Sequence, residues 1–232
     1  MQVQLINYTP DAAELLIFTK STRLQMSPNL LQEIKSWPEE KKLEELKYMA
    51  NTIPSSWEFA DFTFLITGVS RAFTHQFVRT RQGSYAQQTM RLLNVGEYDF
   101  VETSTDPAYI AATGIANRHI KLAYNEMVSQ GVPIEDARGI LPTNIATNIV
   151  AKFNLRTLSE LCKSRTGGRT QGEYRSVMAA MADEVLKVYP WAEMFLFPAG
   201  RSHFDDIEEF AKSLEQDKRL QLLKVVDKMR KT

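Results

Sequence analysis

The sequence predicts an α+β fold in which a small, mostly antiparallel sheet is flanked by helices and the C-terminal half of the chain is helical. The sheet is predicted because residues 62–67, Phe-Thr-Phe-Leu-Ile-Thr, form the strongest strand pattern in the chain and residues 3–9 alternate in a similar way. The helical half is predicted because the apolar spacing after Asp106 has a helical period almost to the C-terminus. No internal repeat or linker divides the 232 residues, so a single domain spanning residues 1–232 is expected.

Each element is predicted from its apolar spacing and from the residues that begin or end it. The clearest helix covers residues 38–50, with acidic residues in its first turn and Leu43, Leu46 and Met49 on its inner stripe. A further strand is expected over residues 98–101, after a turn at residues 94–96. The other helices are expected over residues 11–19, from 27 onward, 70–81, 107–130, 134–140, 144–161, 171–189 and 205–231.

Residues 70–91 contain four arginines and read as a short helix, a glycine turn and a polar extended segment. Ser70 is expected to cap this helix, and Phe73 and Phe77 are expected to form its apolar stripe. Gly83 lets the chain turn out of the helix. Arginine presents a rigid fork to phosphate or carboxylate and stacks on flat rings, so we interpret the stretch as a binding site for an anionic, planar ligand. The alternative is a solvated helix end followed by a polar edge strand.

Composition and charge distribution narrow the possible function classes. The formal net charge is zero, which disfavours a strong non-specific nucleic-acid binder. Ten of the 14 arginines but only three of the 14 lysines lie between Arg71 and Arg175, a segregation that an anion site in the central part of the chain would produce. With one cysteine, no disulfide forms within the chain, and neither a membrane-spanning run nor a signal sequence is evident, so a cytoplasmic protein is expected.

The sequence lacks the familiar catalytic motifs. It has neither the G-x-G-x-x-G of a dinucleotide-binding fold nor a G-x-x-x-x-G-K-[ST] phosphate loop. The histidines, His75, His119 and His203, do not have the spacing of metal ligands, so no metal site is expected. Cys162 lies on an apolar stripe without an evident activating partner, which favours a structural role. Any chemistry is therefore expected to depend on arginines and amides that act on a cofactor or a polarised substrate.

The order and spacing of these polar residues resemble those of the flavin-dependent thymidylate synthases, a family unrelated to the synthase that uses a cysteine. The family signature is Arg-His-Arg, seven residues and Ser, with Gln before it and Arg two positions after it. The corresponding positions here are Gln76, Arg79-Thr80-Arg81, Thr89 and Arg91. Further matching positions follow the family's order between about residues 52 and 176: Ser55, Glu58, residues 62–64, Val69-Ser70-Arg71, Ala137-Arg138, Leu141-Pro142, Asn154, Arg156, Leu158, Arg165, Gln171 and Glu173.

The resemblance implies a homotetramer in which several chains build each active site, with FAD as cofactor, dUMP as substrate, methylenetetrahydrofolate as carbon donor and NADPH as reductant. It implies that Arg165 stabilises the uracil ring as N3 ionises, which makes C5 nucleophilic without a covalent cysteine. Preorganised positive charge in a water-poor site is well suited to stabilising such an anion. The residues implied for dUMP are Gln76, Arg79, Gln87, Gln88, Thr89, Arg91, Arg138 and Arg165. Those implied for FAD are Ser55, Arg79, Thr80, Arg81, Gln87, Asn154, Arg156 and Glu160.

The sequence also departs from the family pattern. Thr80 replaces the middle His of the signature, Phe59 replaces a His, Ala86 an Asn or Ser, Thr89 a Ser and Glu160 an Asn. Thr80 offers no imidazole to a flavin, and Glu160 adds a negative charge near it. Three functions are therefore considered: reductive methylation of dUMP to dTMP, a related pyrimidine nucleotide 5-hydroxymethyltransferase, and a nucleotide-binding paralogue without catalytic activity.

Overall fold

A four-stranded antiparallel sheet lies at the centre of the computed structural model, which describes residues 1–22, 26–92, 99–165, 170–197, 207, 211, 214 and 216–230. The strands are β1 (Gln2–Tyr8), β2 (Asp61–Ser70), β3 (Ser84–Gln87) and β4 (Ala146–Asn154), in the spatial order β1-β2-β4-β3. All three strand pairs are antiparallel. The predicted α+β class, with its small antiparallel sheet and many helices, is confirmed.

Helices cover the sheet and make up most of the second half of the described chain. The α-helices include α1 (Ala12–Lys20), α2 (Pro28–Lys35), α3 (Glu39–Thr52), α4 (Arg71–Phe77), α5 (Pro107–Ser129), α6 (Ile134–Ala137), α7 (Leu155–Arg165), α8 (Gly172–Val188), α9 (Glu193–Leu196) and α10 (Gln216–Arg230). Short 3-10 turns cover Pro54–Phe59, Arg138–Ile140 and Pro190–Ala192. The helix predicted over residues 205–231 corresponds to α10, and most of residues 205–215 lie outside the described residues.

The helix predicted over residues 144–161 is wrong in its first half, because residues 146–154 form the central strand β4. Burial along β4 alternates with a period of two: Thr147, Ile149, Ala151 and Phe153 are buried, while the residues between them are not. Pairing with β2 on one side and β3 on the other satisfies the strand's backbone groups. The helix begins only after Asn154, whose side-chain oxygen accepts a hydrogen bond from the Thr157 amide at 2.9 Å.

The strand predicted over residues 98–101 is present only as an isolated bridge between Phe100 and Ile145 in the part of the chain that the structure describes. Tyr98 and the turn predicted at residues 94–96 lie outside the described residues. The bridge nevertheless brings the segment that precedes α5 against the start of β4.

The inner face of α3 also differs from the prediction at one position. Leu46 and Met49 are buried as expected, but Leu43 is 44% exposed and Lys42 is buried in its place. The Lys42 Nζ lies 2.6 Å from Glu14 Oε1 of α1 and 2.8 Å from Glu39 Oε1. These hydrogen bonds, first the one to Glu14, raise the pKa of Lys42 above its usual value. The two ion pairs therefore allow Lys42 to be buried on the inner face of α3, where the apolar pattern had placed its neighbour Leu43.

The main core lies between the sheet and the helices α1, α3, α7, α8 and α9. Its largest side chains include Phe62, Phe64 and Phe153 of the central strands, which are fully buried. Burial of each such ring contributes roughly 2–3 kcal/mol to the free energy of unfolding. A second, smaller cluster of Met90, Tyr124, Ala137 and Ile145 packs under α5 and fixes the segment that includes α6 against the start of β4.

Helix α5 is largely uncovered. Tyr124 is its only fully buried residue within the described structure, whereas Ile115 and Leu122 are 64% and 61% exposed. Within the described residues, no helix combines the length and the hydropathy needed to span a membrane.

Candidate active site

The junction between β2 and α4 is held by a network around Ser70. Its hydroxyl accepts a hydrogen bond from the Phe73 amide at 3.0 Å, so the predicted N-cap is confirmed. The carboxylate of Glu173, in the first turn of α8, accepts from the Ser70 amide at 2.7 Å and from the Ser70 hydroxyl at 2.5 Å. The backbone amides of Arg71 and Ala72 donate to residues 145 and 143. The start of the arginine-rich stretch is thus fixed to α8 and to the segment before β4.

The turn after α4 is closed by Tyr85. Its hydroxyl lies 3.0 Å from the Phe77 carbonyl oxygen and 2.8 Å from the Thr80 carbonyl oxygen, and the two acceptors share its one proton. Burial raises the pKa of Tyr85 to about 12, so the phenol stays protonated and remains a donor. A Cβ on Gly83 would lie only 2.4 Å from Phe153 Cε1, which explains why glycine occupies this turn. Arg79 and Arg81 are exposed within the turn, on either side of Thr80.

The glutamines predicted to bind nucleotide lie on and just after the edge strand β3. The Gln87 amide donates to Thr74 Oγ1 at 2.9 Å, and the Gln88 side-chain oxygen accepts from the Asn148 amide at 2.8 Å. Asn148 in turn accepts from the Gly68 amide at 3.0 Å. These hydrogen bonds order both amides against the central strands, which is what a preorganised binding surface requires.

A hollow of about 460 Å³ opens beside the start of α4. Arg138, predicted to bind nucleotide, lines it, and its Nε donates to the Glu135 carbonyl at 3.1 Å. Arg91 borders it through an ion pair with the Glu135 carboxylate, at 3.0 Å between Nη2 and Oε2. Burial, and then the charge of Arg138, lower the pKa of Arg71, which also lines the hollow. The complete lining is Arg71, His75, Met90, Glu135, Arg138, Gly139, Leu141, Pro142, Thr143 and Ile145.

A second hollow, of about 430 Å³, lies between α1 and the 3-10 turn that begins at Pro54. Ser55, predicted to contact flavin, supplies a hydroxyl to its lining, and Phe59 presents a ring that is 56% exposed. The remaining lining is Leu15, Phe18, Thr19, Thr22, Met26 and Ser56. Its size and mostly apolar lining, with a few hydroxyls, fit part of a flat ring system such as that of a flavin.

Three of the residues predicted to contact flavin lie just before α7 or on it: Asn154, Arg156 and Glu160. Arg156 Nη1 is 2.7 Å from Glu58 Oε1, and its Nε is 3.4 Å from Glu160 Oε1. The hydrogen bond to Glu58 is the main reason that the pKa of Arg156 is raised. Asn154 caps this helix, and Glu58 lies on the same 3-10 turn as Ser55. The ion pair therefore connects these α7 residues to the element that carries Ser55.

Arg165, the predicted catalytic residue, ends α7 and is exposed. Its guanidinium carbon lies 5.3 Å from the centroid of the Tyr174 ring, a cation–π contact. Tyr174 is fully buried against Phe73 and Phe77 of α4, with centroid distances of 5.1 and 6.0 Å. The Tyr174 hydroxyl has no hydrogen bond of normal geometry with any described residue. The contact thus links Arg165 to the arginine-rich stretch through packed aromatic rings.

Nucleophilic catalysis by the one cysteine is inconsistent with its surroundings. Cys162 is fully buried, and burial raises the pKa of its thiol to about 12. Neutral pH therefore leaves the thiol protonated, and a protonated thiol is a poor nucleophile. In the part of the chain that is described, no cluster of His, Cys, Asp or Glu could hold a metal ion.

The predicted site residues fall into neighbouring groups. Arg138 lines the polar hollow, and Arg91 is paired with Glu135 of its lining, whereas Arg79 and Arg165 line neither hollow. Gln76 lies near the start of α8, where its Nε2 donates to Gln171 Oε1 at 3.1 Å. Thr80 and Arg81 lie on the turn after α4, and Thr89 accepts from the Arg91 amide at 3.1 Å.

The assignment of site residues from sequence omitted Arg71 and Tyr174. Arg71 belongs to the matching Val69-Ser70-Arg71 segment, but nothing in the spacing indicated that its guanidinium lines the same hollow as Arg138. Tyr174 follows Glu173 directly, and no sequence signal distinguished it from a core tyrosine.

Comparison with known proteins agrees with the resemblance seen in the sequence. A family model described as "Thymidylate synthase complementing protein" matches residues 4–191. A flavin-dependent thymidylate synthase of Pyrococcus furiosus is 32% identical over 210 residues, covering 84% of this chain and 85% of that protein. Proteins of the same name are 28% identical in Clostridium tetani, covering 82% and 84% of the two chains, and 32% identical in Sulfurisphaera tokodaii, covering 82% and 75%. The chain therefore belongs to the flavin-dependent thymidylate synthase family.

Proposed function

We propose that this protein is a flavin-dependent thymidylate synthase that converts dUMP to dTMP by reductive methylation. Methylenetetrahydrofolate would donate the carbon, and NADPH would supply the reducing equivalents through FAD. The observation that carries the proposal is likeness along most of the chain, 84% of it in the Pyrococcus furiosus alignment, to relatives that bear this name. The polar hollow with its arginines is consistent with an anionic nucleotide substrate.

The proposed mechanism uses charge instead of a covalent nucleophile. Arg165 stabilises the negative charge that develops on the uracil ring when N3 ionises, so that C5 attacks the one-carbon unit. The contact with Tyr174 restrains its guanidinium, which reduces the reorganisation needed during the reaction. Cys162 takes no part, because its thiol is buried and protonated. Gln76, Arg79, Gln87, Gln88, Thr89, Arg91 and Arg138 bind and orient dUMP.

The residues proposed for FAD form two neighbouring sets. Ser55, at the apolar hollow, is joined through Glu58 to Arg156 and Glu160 at the start of α7, where Asn154 caps the helix. Arg79, Thr80, Arg81 and Gln87 form the second set, on the turn after α4 and on β3. FAD, once bound and reduced by NADPH, would supply the hydride that completes the methyl group. Glu160 is paired with Arg156, which also pairs with Glu58, so these three side chains together carry one net negative charge.

We further propose that the whole chain is a single catalytic domain that works as a cytoplasmic homotetramer. The exposed Ile115 and Leu122 of α5, seven residues apart on one helix face, support an assembly because a lone chain would leave them in water. Shared active sites would also allow Arg79 and Arg165, which line neither hollow here, to complete a neighbouring chain's site.

The test is spectroscopy followed by product mass. The purified protein should show a flavin absorbance spectrum that NADPH bleaches, and bleaching should be faster with dUMP present. With methylenetetrahydrofolate added, the product should have the mass of dTMP. A 5-hydroxymethyl product, which contains an additional oxygen, would instead identify the sister activity that Thr80 and Glu160 leave open. Flavin-loaded protein that binds dUMP and forms neither product would contradict an enzymatic function.

A further inference from the structure

Tyr174 is held rigidly near the start of α8 by the elements around it. Its ring is fully buried, with the Phe73 and Phe77 rings of α4 at centroid distances of 5.1 and 6.0 Å. Phe73 and Phe77 in turn stack on each other at 4.8 Å. The residue before Tyr174 in the chain, Glu173, is fixed to Ser70 by two hydrogen bonds. The position of the Tyr174 ring is therefore set both by packing and by the backbone.

Arg165 is the last residue of α7 and places its guanidinium over this ring. The guanidinium carbon lies 5.3 Å from the ring centroid, within the range of a cation–π contact. A long side chain at an exposed helix end has many rotamers, and contact with a fixed ring favours those that keep the guanidinium on the ring. The Tyr174 ring therefore restricts where the charge of Arg165 can lie.

The hydroxyl of Tyr174 does not account for this contact. It is buried and has no hydrogen bond of normal geometry with any described residue. Burial raises the pKa of Tyr174, and the charge of Arg165, followed by the nearby Thr80, only partly opposes that rise. The phenol therefore stays protonated at neutral pH and offers Arg165 no negative charge. The attraction that is left is the one between the cation and the face of the ring.

We propose that Tyr174 is a positioning residue for Arg165, and that its aromatic ring, rather than its hydroxyl, sets the preference of the site for the ionised uracil ring. This inference rests on the proposed function, because it concerns how Arg165 meets that substrate. A guanidinium stabilises an anion most when it is already in place, whereas a mobile one must first be ordered at a cost in entropy. Loss of the aromatic ring should therefore weaken binding of the uracil anion more than binding of the neutral base.

The test compares two nucleotides that differ at one position of the pyrimidine. In 5-fluoro-dUMP, the fluorine at C5 withdraws electrons and lets N3 ionise at a lower pH than in dUMP. Dissociation constants of both nucleotides are measured by calorimetry on flavin-loaded protein at pH 7 and pH 9. The ratio of the dUMP constant to the 5-fluoro-dUMP constant should rise with pH in the wild type, because the fluorinated ring ionises further in this range. Changes with pH in the protein itself affect both ligands and cancel in the ratio.

A set of variants assigns the effect to the ring. In Tyr174→Leu and Tyr174→Met the rise of the ratio should be smaller by about threefold or more, in line with loss of a cation–π contact. Tyr174→Phe should keep the wild-type rise, because it keeps the ring. Val185→Ala, a change at a fully buried residue about three turns further along α8, is the control for lost stability and should also keep it. Arg165→Ala should lose at least as much as Tyr174→Leu, and combining the two should change nothing further.

Each contrary result overturns the proposal. An equal loss in Tyr174→Phe would assign the effect to the hydroxyl, and an equal loss in Val185→Ala would assign it to the stability of α8. A full rise in both aliphatic variants of Tyr174, or a further loss when Tyr174→Leu is added to Arg165→Ala, would show that Tyr174 does not act through Arg165. A ratio that stays flat in the wild type would mean that the site has no preference for Tyr174 to set.

The outcome is independent of the test of overall function, because it is a binding measurement. A protein that makes dTMP but whose Tyr174→Leu variant keeps the full rise of the ratio would retain the proposed function and refute the role of Tyr174. A protein that makes no dTMP but loses the rise in Tyr174→Leu, and not in Tyr174→Phe, would do the reverse.

Discussion

At the scale of single residues, the thiol of Cys162 gives a prediction with a definite sign. Its pKa is raised by burial from 9.0 to about 12. Because the folded protein holds this proton more tightly than the unfolded chain, the thiol's contribution to stability is complete below pH 9.0 and is lost as the pH rises through about 12. The free energy of unfolding should therefore fall more steeply above pH 9 in the wild type than in Cys162→Ala, by up to about 1.4 kcal/mol per pH unit.

Urea unfolding at intervals between pH 8 and 11 measures this difference. All other titrating groups are common to the two proteins, so subtraction isolates the thiol. Parallel curves for the wild type and Cys162→Ala would contradict the assignment of a buried, protonated thiol.

Arg165 provides the residue-scale test of electrostatic catalysis. Arg165→Ala removes the guanidinium that lies against the Tyr174 ring, while the buried face of α7 is unchanged. Turnover should fall by roughly 10²–10³, the size of the loss seen when one preorganised charge-stabilising donor is removed. Flavin content and melting temperature should be preserved.

The matched control is Lys163→Ala, which removes a cation two positions earlier on the same helix. Steady-state turnover of this control should stay near the wild-type value. Comparable losses in the two variants, or near-normal turnover in Arg165→Ala, would refute the role given to Arg165.

The sequence identified Arg165 and Arg138 only through a likeness to a family, and physical reasoning from residues alone could not rank one arginine above another. Arg71 shows the reason. Its partial burial and its place beside Arg138 in the lining of the polar hollow are properties of tertiary packing. Neighbouring residues in the chain do not encode them.

At the scale of elements, hydrogen bonds between α8 and the β2–α4 junction hold the start of the arginine-rich stretch in place. Glu173 accepts two hydrogen bonds from Ser70, through its amide and its hydroxyl. Glu173→Ala leaves the buried Ser70 amide without this acceptor, so it should lower the free energy of unfolding by about 1–3 kcal/mol. Nucleotide binding should weaken as well, because Arg71 begins the helix that this junction fixes.

Chemical denaturation of Glu173→Ala, Ser70→Ala and the double variant measures the coupling. Because both single variants remove the hydrogen bond between the Ser70 hydroxyl and the Glu173 carboxylate, the double variant should lose less stability than the sum of the two. Glu44→Ala, on the exposed side of α3, should have an effect within about 0.5 kcal/mol of zero. Additive losses would show that Glu173 and Ser70 contribute independently.

The sequence predicted correctly those elements whose secondary structure is set by nearby residues. It failed where pairing with distant strands determines the secondary structure. The Ser70 cap and the Phe73–Phe77 stripe of α4 are local, and both occur as predicted. Strand β4 is different, because it is a central strand whose pairing partners, β2 and β3, lie about 60 or more residues away in the chain. Leu155, Leu158 and Leu161 continue a helical stripe directly after it, so the helical pattern was extended too far toward the N-terminus.

At the scale of the whole molecule, the exposed face of α5 predicts an assembly. Light scattering should give the native protein a mass near four times the 26.5 kDa of the chain. Replacing both Ile115 and Leu122 by Glu places two charges on the proposed interface, so the assembly should dissociate and turnover should fall with it. Val225→Glu, at an exposed apolar position of α10, should leave the mass unchanged. A tetramer that persists with both charges present would exclude this face.

The overall class of the fold was predictable because it depends on composition and on the spacing of apolar residues. That spacing has a period of about 2 in strands and about 3.6 in helices, and it is spread over many residues. The presence of two separate hollows, one polar and one apolar, at the candidate site was not predictable. It arises from how α1, α4 and α6 pack around the sheet. The ion pair between Arg156 and Glu58 was not predictable either, because the two residues are nearly a hundred positions apart in the chain.

The central claim is that arginine charge replaces a thiol nucleophile on the pyrimidine. Cys162 is the only cysteine in the chain, so Cys162→Ala yields a protein without any thiol. The most direct measurement is the mass and rate of formation of the product that this variant makes from dUMP, methylenetetrahydrofolate and NADPH. The account predicts dTMP at close to the wild-type rate. Loss of dTMP formation in a folded, flavin-loaded variant would contradict it.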